Sequence, residues 1–187
     1  MSSLRTQAKL PCDVISDCMD PAQEISIDAP LVDAIGDIVA HGYLLVRGQD
    51  KTITGIVTAS DVGDQFMQLT GPFVLIGEIE GHLRRLVHGR FTVEELNESL
   101  KGNGERVIQG TADLTFGDYC RLLENPEYWG RLGLSIDRAT FAKHLDAVRE
   151  IRNDVMHFDP DGLELEDETV LKDLARFFRR LVRMGAI

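Results

Sequence analysis

The sequence predicts an α+β chain: a small N-terminal β-α-β-β-α unit over residues 1–70, followed by an all-α helical bundle over residues 71–187. Three observations predict it. Between Ile25 and Thr58, short apolar segments are punctuated by turn residues at strand-like spacing. From Phe73 onward, apolar residues recur at three- and four-residue steps, the period of helices that bury one face. Gly71-Pro72 lies between the two patterns and marks the expected boundary.

In the first unit, residues 1–24 read as a lead-in broken by Pro11 and Pro21. Ile25-Ser26-Ile27 alternates as a short strand does. Asp28 is expected to cap a helix entered through Ala29-Pro30, because its carboxylate can accept an orphan N–H and proline suits a first turn. Leu31, Ala34, Ile35, Ile38 and Val39 supply the helical repeat, and Gly42 ends it. Residues 43–46 and 53–58 then form a hairpin around the polar turn 48–51. Ser60 or Asp61 starts a helix that runs to about Leu69.

In the second unit, residues 73–87 repeat Val74, Leu75, Ile79, Leu83 and Leu86 at helical spacing. Thr92-Val93-Glu94-Glu95 has the form of a capping box, and Gly102-Asn103-Gly104 closes the short helix it starts. That glycine loop lacks the Lys-Ser/Thr of a phosphate-binding loop. Thr115 and Asp118 form a second capping pair for a helix over 114–125. Residues 126–130 read as a turn whose Trp129 joins the helical core. Asp137 caps a helix from Arg138 to about Met156, with Phe141, Leu145, Val148 and Val155 as its apolar stripe. Residues 158–162, with Pro160 and Gly162, end it. Asp167 or Thr169 opens the last helix, which runs through Leu171, Leu174, Phe178 and Leu181.

Charge narrows the functional classes. The formal net charge is −11; residues 1–70 carry 4 Lys/Arg against 10 Asp/Glu, and residues 71–187 carry 16 against 21. Broad nucleic-acid binding needs cation excess, so any RNA contact must use a local patch. Arg176, Arg179, Arg180 and Arg183 crowd one helix and offer such a patch; they read equally well as a solvated face with cations near a helix C-terminus. No apolar run has the length of a membrane span, and the first residues lack the pattern of a signal peptide. Three cysteines without a C-x-x-C pair point to a reduced, cytoplasmic protein without a zinc site.

The first unit resembles a CBS domain. Asp17-Cys18-Met19-Asp20-Pro21 matches the family's D-x-M-x-P lead-in, Gly42-Tyr43-Leu44-Leu45-Val46 its middle strand, and Gly55-Ile56-Val57-Thr58-Ala59-Ser60-Asp61 its closing G-h-h-T-x-x-D segment. The resemblance implies a nucleotide ligand, an adenine nucleotide by expectation, with Thr58 near phosphate and Asp61 on ribose hydroxyls. Thr58, Ser60 and Asp61 also suffice as plain helix caps. CBS repeats pair side by side. One copy is present and the residues before it are too few for another, so a second molecule is expected to supply the partner.

Arg152-Asn153-Asp154-Val155-Met156-His157 combines a permanent cation, an amide and a titratable imidazole near a helix end. On a helical wheel Arg152 flanks the apolar stripe, while His157 lies about 140° away. The two converge only through a helix break or a second subunit. The residues also fit a structural role, with Arg152 in an ion pair with Asp146 or a neighbouring chain's Asp154, and His157 as a C-terminal cap. Here the sequence resembles a HEPN domain, a helical bundle with an R-x4–6-H motif and a polar residue after the arginine. The resemblance implies a homodimeric, metal-independent endoribonuclease leaving a 2′,3′-cyclic phosphate, with Arg152, Asn153 and His157 as catalytic residues. It implies RNA as substrate, no metal or other cofactor for catalysis, and, by family analogy, a toxin or defence role with an antitoxin protein as partner. The alternative expectation is a non-catalytic regulatory dimer that binds a nucleotide and a protein partner.

Overall fold

The computed structural model describes Met19 and residues 21–100, 106–157 and 163–187. The chain divides into two compact units, Met1–Met67 and Gln68–Ile187.

In the first unit, β1 (Glu24–Ser26) and β2 (Tyr43–Arg47) run parallel, with Ile25 opposite Val46. Parallel neighbours cannot be joined by a tight turn. The connection is α1 (Leu31–His41), which buries Ala34 and Ile38 with Leu44 of β2. Gly42 stops α1 by entering the left-handed region at φ 83° and donating its N–H to the Ile38 carbonyl at 2.7 Å. β3 (Ile53–Thr58) pairs antiparallel with β2, giving a sheet of order β1-β2-β3. The hairpin turn needs Gly48, since a Cβ there would lie 2.9 Å from the Thr54 methyl.

Asp28 does not cap α1. Pro30 holds the N-cap position without a side-chain bond, and the Asp28 carboxylate accepts from Gln49 Nε2 at 3.1 and 3.3 Å. The helix starts two residues later than Asp28 would require.

The helix expected to end near Leu69 does not stop there. α2 (Ala59–Val87) is one 29-residue helix with Pro72 inside it. Pro72 has no N–H to offer the Gln68 carbonyl, but a single proline forfeits one ladder bond and leaves the helix to continue beyond it. The start also differs from expectation. Thr58 takes the cap position, and Asp61 is its reciprocal partner three residues on.

The second unit adds α3 (Val93–Ser99), a 3₁₀ turn at Thr111–Asp113, α4 (Phe116–Glu124) and α5 (Pro126–Arg131). Two long helices complete it: α6 (Arg138–Met156) and α7 (Leu165–Arg183). Both capping boxes form as expected. Thr92 and Glu95 exchange bonds at 2.8 and 3.3 Å, and Thr115 and Asp118 do the same. Residues 126–131 are a helix rather than a turn, because Asn125 caps it and Pro126 suits its first position. α7 begins at Leu165, ahead of the expected Asp167 or Thr169, and Glu164 at its N-cap makes no side-chain bond.

One apolar core holds these helices. Ile79, Leu83, Leu86 and Val87 of α2 meet Leu145 and Val148 of α6 and Leu171 and Phe178 of α7, all fully buried. Trp129 joins that core with its ring 5.1 Å from Phe141. No helix among the described residues is long and apolar enough to cross a membrane.

Candidate functional site

α6 positions the Arg152-to-His157 segment. Asp137 caps its start by accepting from Thr140 N–H at 2.7 Å. Phe141, Leu145, Val148, Ile151 and Val155 bury one face along its whole length. With that face fixed by packing, Arg152 and Asn153 are half-buried beside the stripe in the last turns. His157 is the first residue past the helix, at φ −87° and ψ 0°, with its N–H bonded to the Asn153 carbonyl at 3.0 Å and its ring side exposed. The structure brings the three residues to one end of one helix. The segment expected to end the helix, 158–162, lies outside the described residues.

No hydrogen bond or ion pair ties the side chains of Arg152, Asn153 or His157 to another described residue. Arg149, one turn earlier, behaves oppositely: it pairs with Asp146 at 2.9 Å and Glu150 at 2.8 Å. Asp146, the intrachain partner considered for Arg152, is thus taken. The carbonyls at a helix C-terminus carry partial negative charge, so cations are favoured there and a phosphate is not. An anion there would have to be held by the Arg152 guanidinium. A guanidinium fork suits two phosphate oxygens, and an exposed imidazole can exchange protons with solvent or substrate.

The expected basic patch is thinner than its sequence suggests. Arg179 is held bidentately by Glu78 at 2.6 and 2.5 Å, and Arg176 pairs with Asp173 at 2.6 Å. Arg180 and Arg183 remain exposed, without a side-chain partner among the described residues.

Thr58 and Asp61 lie at the start of α2, on the surface of the first unit. Asp61 Oδ2 accepts the Thr58 hydroxyl at 2.7 Å and its N–H at 2.8 Å. The Thr58 hydroxyl and then its N–H hold the Asp61 carboxyl below the usual range. The capping role read from the sequence is therefore filled, and a ribose would have to share or replace these bonds.

Sequence reasoning passed over His82. It is buried in α2 and stacks on Phe178 of α7, with ring centroids 5.3 Å apart and planes 4° from parallel. Arg85 donates to Nδ1 at 2.8 Å, so Nδ1 carries a lone pair and the proton sits on Nε2, which faces Glu78 at 3.4 Å. Burial pushes the imidazole below its ordinary value, with Glu78 pulling the other way. The available signal was position: His82 falls three residues after Ile79 and four before Leu86, on the buried stripe. Cys120 is also buried, and burial pushes its thiol up to about 12. No group of three or more His, Cys, Asp or Glu side chains suited to a metal ion occurs among the described residues.

No protein-family model matches the chain, and neither a curated protein nor a solved structure does.

Proposed function

We propose that the second unit is a metal-independent endoribonuclease of HEPN type, and that the first is a CBS-type unit that binds an adenine nucleotide and pairs with a second copy. The observation that carries the nuclease reading is the state of Arg152. Among the described residues it is the half-buried arginine with no internal partner, and it shares a helix end with an exposed histidine. A structural arginine at that depth would be expected to carry an ion pair, as Arg149 does.

In this reading the 2′-hydroxyl oxygen of RNA attacks the adjacent phosphorus, and the bond from phosphorus to the 5′-oxygen breaks. The 2′ proton leaves to a base and the departing 5′-oxygen takes one from an acid; His157 performs one of these transfers. Arg152 stabilises the charge that builds on the equatorial phosphate oxygens. Asn153 orients the phosphate or His157. The products are a 2′,3′-cyclic phosphate and a 5′-hydroxyl. The wheel separation of Arg152 and His157 favours a cleft completed by a second chain. An outward apolar face on α1 supports that partner: Val32 and Val39 are 77% and 68% exposed, with Ile35 between them.

The test is incubation of the purified chain with single-stranded RNA in excess chelator, with the product ends identified by mass. Cyclic phosphate termini are expected; intact RNA would overturn the reading. The N-terminal unit is tested by titration with adenine nucleotides, where binding is expected and Asp61→Ala should remove it. The second reading, a non-catalytic regulatory dimer, is favoured by the Thr58–Asp61 unit if nucleotide binds while RNA stays intact. Toxin or defence activity, with an antitoxin protein as partner, is the biological setting that goes with cleavage.

A further inference from the structure

A cavity of about 390 Å³ opens between the first half of α6 and the middle of α7. Its floor is Ile136, Phe141, Val170, Leu174 and Phe177. Its rim carries two carboxylates, Asp137 and Asp173, with Thr140, His144 and Thr169 as hydrogen-bonding groups. No lysine or arginine lines it. The size falls within the range of small-molecule sites, and an apolar floor with a few polar groups is the usual makeup of one.

The charges select the ligand. Two carboxylates at the mouth repel phosphates and carboxylates, so the cavity is not an extension of an RNA groove. A cation is attracted, and the aromatic floor adds favourable contact with an ammonium or a ring. Asp173 is available for this exchange. Its pair with Arg176 joins two side chains about 60% exposed, and such surface pairs contribute little and re-partner readily. Thr169 donates its hydroxyl to the Leu165 carbonyl at 2.8 Å, which leaves its oxygen lone pairs to accept from an amine.

We propose that this cavity binds a small molecule with an aromatic or branched apolar body and a single ammonium group. The site is distinct from the Arg152-to-His157 end of α6, and its ligand acts whether or not that end cleaves RNA. Filling it stiffens the contact between α6 and α7, the pair whose packing fixes the α6 stripe.

The experiment titrates the full chain with 4-phenylbutylamine, 4-phenylbutanol and 4-phenylbutanoate, by calorimetry and by the fluorescence of Trp129. That residue is the chain's single tryptophan, and its ring lies 5.1 Å from the cavity-lining Phe141. The amine should give a saturable signal in both readouts, with the alcohol weaker and the carboxylate silent. Leu174→Phe and Val170→Phe, which fill the floor, should abolish binding while the helical circular dichroism stays. Asp173→Asn, a surface change that does not threaten folding, should weaken the amine by about threefold and leave the alcohol unchanged. Equal binding of amine and carboxylate would overturn the proposal. So would amine binding that survives both filled variants, an amine affinity untouched by Asp173→Asn, or no saturable signal from the amine.

Discussion

Arg149 and Arg152 sit one turn apart on the same helix, yet only Arg149 is neutralised. Acidic residues at i−3 and i+1 capture it, whereas no ion pair joins Arg152 to another of the described residues. The spacing favours that pairing: Asp146 lies three residues before Arg149, on its face, but six before Arg152, off it. His157 is exposed, so its replacement should leave the fold alone. His157→Ala is expected to shift the melting temperature by less than about 2 °C, as read by circular dichroism. His82 behaves as a structural histidine, and its pH dependence has a definite sign. Its folded value lies below the ordinary 6.5, so the unfolded chain binds more protons in the window between the two values. Stability should therefore be constant above about pH 6.5 and fall as acid carries the pH down through that window. Glu78, Arg85 and Arg179 face the ring, and Arg179 holds the Glu78 carboxyl below its usual range, so the imidazole is the group that takes up the proton there. Comparing melting temperatures at pH 7.5 and 5.5 checks this: His82→Gln should show a smaller drop than the parent chain.

At the scale of elements, the caps were the most legible features. Thr92 with Glu95, Thr115 with Asp118, and Asp137 all act where a hydroxyl or carboxylate three residues before a partner predicts them. Asp28 failed because a capping residue type is not a capping geometry: Pro30 already occupied the N-cap, and Gln49 competed for the carboxylate. Pro72 misled in the opposite way. A proline reads as a boundary in sequence, but helix length is decided by the packing of the residues around it, and Ile76, Ile79 and Leu83 bury the turns beyond. The two contributions to α6 should separate in denaturant. Asp137→Ala should cost about 1 kcal/mol through loss of the cap. Leu145→Ala, at a fully buried site, should cost about 3 kcal/mol through lost contacts and the cavity left behind. Urea midpoints with unchanged slope are the measurement, and a larger loss from the cap than from the core would contradict this ordering.

At the scale of the whole molecule, the division into a small sheet-bearing unit and a helical unit was legible from hydrophobic period alone. Strand alternation stops and helical recurrence begins at about the same place. The candidate site was not legible to the same degree, because a six-residue motif fixes which side chains share a helix end and not what else meets them. The proposed pairing of two copies through the outward apolar face of α1 has a direct consequence. The chain should sediment at twice its 20.9 kDa mass, and a Val32→Glu/Val39→Glu double variant should sediment at that mass once. Catalysis by a cleft shared between chains predicts complementation. Arg152→Ala and His157→Ala chains, each inactive alone, should recover part of the activity when mixed and allowed to exchange.

The most direct measurement is the rate of RNA cleavage in chelator by the parent chain, Arg152→Ala and His157→Ala, with folding of each checked by melting. Cyclic phosphate products are expected from the parent chain, with at least about a hundredfold loss in each variant. Equal cleavage by all three chains, or none by the parent, would contradict the nuclease reading.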